Sequence, residues 1–168
     1  EDRFPAALDD ALVSYQYLLS KGYGPSQILL CGESAGGGLC YALCLRLKQL
    51  KLPLPCGIIA ISPWTDLTQS GATFDENRDN DPSLSKELLD FYSACYTQNP
   101  KNPLCSPLFG DLKDLPPSLL FVGGDEILLD DAQRLHQKLL DAGCKSKLYI
   151  APERWHAYVL YCLAENMQ

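Results

Sequence analysis

The sequence is poor in the residues that build metal sites, and it carries no long apolar run. Only two histidines occur, His136 and His156, and none of the eight cysteines forms a Cys-x-x-Cys pair. The zinc-ligand spacings are therefore absent, and we expect neither a metal nor an organic cofactor. No apolar run reaches the 18 or more residues of a membrane span, so we expect no membrane span. The N-terminus lacks the charged and then apolar pattern of a signal peptide, so none is expected.

Clusters of lysine and arginine are also missing. The 168 residues include 21 acidic and 14 basic side chains, which give a net charge of -7. Such a chain is a poor candidate for binding nucleic acid or an anionic membrane, so neither is expected as a partner. With 46% hydrophobic and 21% charged residues, residues 1–168 are predicted to form one soluble globular domain.

Several of the cysteines lie inside apolar runs, where a thiol behaves as a small hydrophobic group. Cys31 follows three aliphatic residues, and Cys40 and Cys44 lie within the apolar stretch 39–47. We expect buried free thiols rather than disulfides, and hence a reducing, cytoplasmic compartment.

Helical and strand patterns alternate along the chain. Apolar positions at helical spacing predict helices over residues 6–20, 34–49, 84–96, 128–142 and 157–167. Short apolar runs predict strands over residues 27–31, 56–62, 118–123 and 145–150, of which the first is expected to be covered on both faces and the last to lie near an edge. The alternation predicts an α/β fold, with a mostly parallel sheet of about four strands flanked by helices.

The segment from residue 63 to residue 117 interrupts this alternation. It holds seven prolines, a polar stretch and one amphipathic helix. A long excursion between two strands is usually functional. We expect it to contribute to a substrate pocket, with Trp64, Phe91 and Phe109 as apolar candidates that are as easily explained by core packing.

The main chemical signal is a Gly-x-Ser-x-Gly motif, Gly32 to Gly36, between a predicted strand and a predicted helix. A sharp turn of this kind lifts the Ser34 hydroxyl clear of the sheet and needs small neighbours. The Ala35 N–H, at the start of the helix, can then meet a developing oxyanion. In this context we interpret Ser34 as a nucleophile rather than as part of a packing turn.

A serine hydroxyl needs a base to remove its proton, and His156 is the candidate. It lies in a loop six residues after the fourth predicted strand, whereas His136 lies inside a helix and is interpreted as a surface residue. The base needs a carboxylate in turn, and Asp125 follows the third strand directly. Glu126, Asp130 and Asp131 compete for this role, but all three are explained by their position at a helix start. Glu126 is the second choice.

The chain order Ser34, Asp125, His156 is that of the α/β-hydrolases. Each residue also follows the C-terminal end of a predicted parallel strand, where open α/β sheets place their sites. The sequence therefore predicts a Ser-Asp-His catalytic triad.

Longer motifs resemble the hormone-sensitive-lipase-like esterases of the α/β-hydrolase superfamily. They are Glu1-x-x-Phe4-Pro5-Ala6-Ala7-x-x-Asp10, Gly32-Glu33-Ser34-Ala35-Gly36-Gly37, Ser62-Pro63-x-x-Asp66-Leu67-Thr68, Pro103-Leu104-x-Ser106-Pro107-Leu108, Leu115-Pro116-Pro117 and Gly124-Asp125-Glu126-x-Leu128. The resemblance implies a serine carboxylesterase, acting on small to medium acyl esters with Ser34, Asp125 and His156 as its triad. It also implies a homodimer through the last strand.

The sequence departs from that family in one respect. Family members are about twice as long, and their His-Gly-Gly-Gly segment, which supplies oxyanion donors, has no counterpart in the sequence. We expect the chain to be the C-terminal portion of such an enzyme, weakly active or inactive alone, because losing one donor commonly costs on the order of 100- to 1000-fold in rate. An amidase or peptidase on the same scaffold, or a non-catalytic ligand-binding relative, remains an alternative.

Overall fold

The computed structural model describes residues 2–165, with the side chains of residues 2–161. Four strands form the sheet: β1 (Leu29–Glu33), β2 (Gly57–Ile61), β3 (Ser118–Gly123) and β4 (Ser146–Ala151). Six helices accompany them: α1 (Ala6–Ser20), α2 (Ala35–Gln49), α3 (Thr73–Glu76), α4 (Lys86–Tyr96), α5 (Leu129–Asp141) and α6 (Tyr158–Glu165). The α/β prediction is confirmed.

The sheet is parallel throughout and has the order β1-β2-β3-β4. All four strands therefore end at the same edge, and the loops that follow them meet there. The prediction that the last strand lies near an edge is confirmed. The C-terminal limit predicted for the last helix, residue 167, lies outside the described residues.

Helix α2 is the centre of the structure, as its nearly continuous apolar sequence predicted. Tyr41, Cys44 and Leu47 on this helix are completely buried, and α2 packs against β1, β2 and α1. Helix α1 ends where the sequence predicted, because Gly22 adopts a φ of 92° that favours glycine.

The first strand differs from its prediction in two ways. It begins at Leu29 rather than at residue 27, because Pro25–Gln27 form a turn of 3₁₀-helix that carries the chain to Ile28. It is also exposed: Leu29 is 52% accessible, and Cys31 is exposed as well. The expectation of a strand covered on both faces was wrong, because β1 is an edge strand and the sheet face that carries these two side chains is open.

The cysteine prediction is correct in part. All seven cysteines whose side chains are described are free, and Cys44, Cys105 and Cys144 are buried. Cys31, Cys56 and Cys95 are exposed, which the sequence analysis did not expect. Cys162 lies outside the described side chains.

Among the described residues, no helix is long and apolar enough to cross a membrane. No group of three or more histidine, cysteine, aspartate or glutamate side chains among these residues is arranged to hold a metal ion.

Candidate active site

Ser34 occupies a sharp turn between β1 and α2. Its backbone has a φ of 55° and a ψ of -121°, a conformation that costs a non-glycine residue on the order of 1–3 kcal/mol. Hydrogen bonds hold the turn: the Ser34 N–H donates to the Ile61 carbonyl at 2.9 Å, and the Ser34 carbonyl accepts from the Trp64 N–H at 2.9 Å.

Small residues make the turn possible. A Cβ atom at Gly32 would lie 2.2 Å from the Gly36 carbonyl oxygen, and one at Gly37 would lie 2.9 Å from the Pro63 side chain. A Cβ atom at Gly36 would meet nothing within 4 Å. Of the motif's two flanking glycines, Gly32 is therefore the one that the turn requires sterically.

His156 lies in the loop after β4 and is 8% exposed. The loop lies against the end of β3, because the Asp125 N–H donates to the Arg154 carbonyl at 3.0 Å and the Gly124 N–H donates to the Ala151 carbonyl at 2.8 Å. Gly123 permits this approach, since a Cβ atom there would lie 2.1 Å from the Arg154 oxygen.

The carboxylate against the imidazole belongs to Glu126. Its Oε2 lies 3.1 Å from Nδ1 of His156. Its Oε1 accepts from the Ser62 hydroxyl at 2.6 Å and from the Gly123 N–H at 2.5 Å, and the side chain is fully buried. The Ser62 hydroxyl also accepts from the Ala157 N–H at 3.0 Å, so Ser62 ties the acid to the histidine loop.

The predicted partner, Asp125, does not contact the imidazole, and its side chain is half-exposed. The prediction that Glu126 belongs to a helix start is wrong, because α5 begins at Leu129 and Glu126 lies in the turn before it. The completely buried Ile127 and Leu128 that follow it were the available signal that this position faces inward.

Residues of the excursion also hold the turn that carries Glu126. The Asn77 side-chain amide donates to the Gly124 carbonyl at 3.0 Å and to the Glu126 carbonyl at 2.8 Å. A carboxylate oxygen of Asp81 accepts from the Ile127 N–H at 3.0 Å. Sequence reasoning missed the roles of Asn77 and Asp81, because isolated polar residues in a loop carry no motif. Ser62 lies in one of the family motifs, but the motif did not indicate its contact with Glu126.

The other two acidic candidates also anchor the excursion. Asp131 is completely buried, and one of its oxygens accepts from the N–H groups of Thr65 and Asp66 at 2.7 and 2.9 Å. Asp130 accepts from the Ala72 N–H at 2.8 Å.

The second nitrogen of the imidazole faces the serine turn. Nε2 of His156 lies 3.2 Å from Oε1 of Glu33, the residue before Ser34. Within residues 2–161, no hydrogen bond joins the Ser34 hydroxyl to the imidazole. The structure therefore brings His156 to the predicted strand edge but pairs it with Glu33 instead of Ser34.

Burial and three neighbouring acidic residues determine the protonation of His156. Burial on its own lowers the pKa of the imidazole, but the hydrogen bond to Glu126, the charge of Glu126 and the charges of Glu33 and Asp81 together raise it above 6.5. The protonated form is stabilised because all three neighbouring groups are acidic.

The remaining predicted residues are placed as follows. Ala35 opens α2, where the first N–H groups have no acceptor within the helix. His136 lies elsewhere, with Nδ1 2.8 Å from the hydroxyl of Ser146 at the opposite end of β4.

An apolar cavity of about 360 Å³ begins beside the serine turn. Its walls come from α1, α2, α4 and the excursion: Ala7, Ala35, Gly36, Gly38, Leu39, Ala42, Trp64, Leu67, Tyr92, Tyr96, Leu104 and Cys105. Of the three predicted aromatic residues only Trp64 lines it. Phe91 and Phe109 are 62% and 38% exposed and do not line it, whereas the sequence analysis missed Tyr92 and Tyr96.

The chain is similar to known proteins over almost its whole length. Residues 1–160 match the family described as having the alpha/beta hydrolase fold. An acetyl-hydrolase of Streptomyces hygroscopicus is 39% identical over 96% of the chain and 54% of its own length, and an esterase of Acinetobacter venetianus is 38% identical with the same coverage.

Solved structures give the same picture. A crystal structure of an esterase from the bacterial hormone-sensitive lipase family is 40% identical, with a TM-score of 0.93 over 96% of the chain and 55% of the solved protein. The esterase EstE5, in a crystal soaked with p-nitrophenyl butyrate, is 36% identical with a TM-score of 0.92. The chain thus spans about half the length of the relatives it matches.

Proposed function

Because the chain belongs to the family of the α/β-hydrolase fold, we propose that it hydrolyses carboxylic esters with Ser34, His156 and Glu126 as its catalytic residues. One observation carries this proposal. The buried carboxylate of Glu126 holds Nδ1 of His156 at 3.1 Å, and the other ring nitrogen is directed to the turn that carries Ser34. A base held by an acid beside a strained serine turn is the arrangement that activates a hydroxyl.

The reaction begins when the Ser34 hydroxyl attacks the ester carbonyl and its proton passes to Nε2 of His156. Glu126 stabilises the imidazolium that forms, and the Ala35 N–H donates to the oxyanion. The imidazolium then protonates the departing alcohol, leaving the acyl group on Ser34. Water, deprotonated by the same nitrogen, hydrolyses the acyl-enzyme and returns the proton to Ser34.

The apolar cavity beside Ala35 and Gly36 is the proposed site for the acyl chain. Its volume of about 360 Å³ lies in the range of small-molecule sites, and its lining offers little to a charged acyl group. Small to medium aliphatic acyl esters therefore fit it best.

The oxyanion site needs a second donor. The turn that carries Ser34 supplies one donor, the Ala35 N–H. The chain covers about half the length of its relatives. We therefore propose that the whole protein is a full esterase and that these 168 residues alone turn over slowly.

A second candidate function is ligand binding without turnover. It is favoured by the pairing of His156 with Glu33, which leaves the Ser34 hydroxyl without a hydrogen-bond partner among the described residues. A small ester or related neutral molecule would then occupy the same apolar cavity. An amidase or peptidase would use the same residues, and a panel of acyl substrates separates these activities.

Two further proposals concern the surroundings of the protein. A homodimer through the edge strand β4 is supported by its free edge and by Tyr149 and Ile150, which are 51% and 43% exposed. A reducing, cytoplasmic location is supported by the free state of the seven cysteines whose side chains are described.

Hydrolysis of p-nitrophenyl butyrate tests the proposed function. Wild type should release p-nitrophenol in a burst followed by slow turnover, and Ser34→Ala should lose activity on the order of 10⁴-fold. Ser14→Ala, on the exposed face of α1, should match wild type. Equal rates for wild type and Ser34→Ala would contradict the proposal.

A further inference from the structure

The imidazole of His156 lies between two carboxylates. Nδ1 is 3.1 Å from Glu126 and Nε2 is 3.2 Å from Glu33. Nδ1 forms a hydrogen bond with Glu126, and Nε2 lies at ion-pair distance from Glu33. Because a negative charge lies beside each nitrogen, the geometry favours the imidazolium form of the ring.

Glu33 occupies the nitrogen that the proposed chemistry needs. Nε2 must be unprotonated and must face the Ser34 hydroxyl before it can act as a base. Glu33 and Ser34 are adjacent in the chain, at the end of β1, so both can reach Nε2 but only one can hold it at a time.

We propose that Glu33 is a positioning residue that holds His156 in a resting orientation, from which Nε2 is released to Ser34 when the imidazolium loses its proton to solvent. This inference rests on the proposed ester hydrolysis, since it describes the regulation of the same site. It also explains why the Ser34 hydroxyl has no partner among the described residues.

The other charged groups around the ring determine how much the pKa of His156 changes when the charge of Glu33 is removed. Glu126 contacts Nδ1 from the turn before α5, and the charge of Asp81, from the excursion, also acts on the ring. All are acidic, so removing Glu33 leaves the imidazolium partly stabilised. Glu33 is 39% exposed and Glu126 is fully buried, so Glu33 is the partner that can leave the ring more easily and that salt screens more strongly.

Glu33→Gln tests this proposal, because it keeps the shape of the side chain and removes its charge. A two-dimensional NMR titration of labelled histidine should show the pKa of His156 falling in Glu33→Gln, while Glu33→Asp should retain most of the wild-type behaviour. Asp10→Asn, which removes an exposed charge on α1, should not move it, and His136 provides an internal reference signal.

Reactivity gives a second readout. Below the pKa of His156, Glu33→Gln should react with a fluorophosphonate about two- to fivefold faster than wild type. The two rates should converge at alkaline pH, where the ring is neutral in both. If Glu33→Gln fails to fold, raising the salt concentration of wild type from about 0.05 M to about 0.5 M should lower the pKa of His156 in the same direction.

An unchanged His156 titration in Glu33→Gln, or in high salt if that variant does not fold, would overturn the proposal. So would a lower rate for Glu33→Gln at acidic pH. If wild type does not react at any pH, the proposed hydrolysis fails instead. The NMR titration still decides the pairing, since it requires no catalysis.

Discussion

At the scale of single residues, the burial of Glu126 explains its proposed role. A carboxylate completely removed from water is stable only when its oxygens are paired, and here Ser62, Gly123 and His156 pair them. Asp125 is half-exposed and has no such partners. Removing the carboxylate of Glu126 should therefore reduce the reaction rate more than removing that of Asp125.

Glu126→Gln should reduce the fluorophosphonate reaction rate by about 100-fold or more, because the amide cannot stabilise the imidazolium. The pKa of His156 should fall in the same variant, since Glu126 contributes both a hydrogen bond and a charge. Asp125→Asn is the matched control and should stay within about twofold of wild type. A larger loss in Asp125→Asn than in Glu126→Gln would contradict the assignment.

Asp131 gives a second prediction at this scale. Burial, together with the charge of Asp66, raises the pKa of Asp131 to about 7, against the lowering effect of its hydrogen bonds and of Arg134. The folded state therefore holds a proton that the unfolded chain releases near pH 3.8. Stability should fall as the pH rises from about 4 to about 7, by roughly 2–4 kcal/mol.

Asp131→Asn should remove most of this pH dependence, because the amide oxygen can still accept from Thr65 and Asp66 and no charge is buried. Urea unfolding at several pH values measures the free energy of unfolding. Asp10→Asn is the control and should show the same pH dependence as wild type. A wild-type free energy of unfolding that rises between pH 4 and pH 7, with the same rise in Asp131→Asn, would contradict this prediction.

At the scale of elements, α2 is held close to the loop after β2 by a glycine. A Cβ atom at Gly38 would lie 2.1 Å from the Trp64 carbonyl oxygen, whereas one at Gly36 would meet nothing. Gly38→Ala should therefore destabilise the protein by several kcal/mol. Gly36→Ala should be neutral or stabilising by about 0.5–1 kcal/mol, because alanine favours the helix.

Thermal and urea unfolding of the two variants check this pair. The prediction is wrong if Gly38→Ala unfolds at the same urea concentration as Gly36→Ala. Since both glycines lie in α2, helix propensity alone predicts equal effects, and only the contact with Trp64 separates them.

Some features of these elements could be predicted from the sequence, and others could not. The periodicity of α2 and the strand–turn–helix pattern around Ser34 are local signals, and both led to correct predictions of structure. The exposure of β1 depends on which strands lie beside it, and the inward direction of Glu126 depends on where α5 begins. For Glu126, the apolar Ile127 and Leu128 that follow it were a local signal of burial. The exposure of β1 has no such local signal, and the pairing of Nε2 with Glu33 arises from a loop more than 100 residues away.

At the scale of the whole sheet, residues 2–165 place no further strand beside either outer strand. Strands β1 and β4 are the outer strands, and each exposes apolar side chains. Unpaired edges of this kind favour association with another chain. Because the proposed dimer uses β4, substitutions on β4 should weaken association and substitutions on β1 should not.

Sedimentation at several concentrations tests the choice of edge. Ile150→Lys, on β4, should shift the chain to the monomer by about tenfold in dissociation constant, whereas Leu29→Lys, on β1, should leave the association unchanged. The opposite pattern would assign the association to β1. A wild-type chain that is monomeric at every concentration would contradict the proposed dimer.

Ser34 is proposed as the nucleophile of an ester hydrolase, and a covalent adduct located on its side chain would demonstrate this role. The chain should be incubated with a fluorophosphonate and digested, and fragmentation of the peptide that spans residues 22–46 should separate Ser34 from Ser26. We predict a single phosphonyl group on Ser34, formed faster in wild type than in Glu126→Gln. A phosphonyl group on another serine, or its absence from Ser34 after prolonged exposure, would contradict the account.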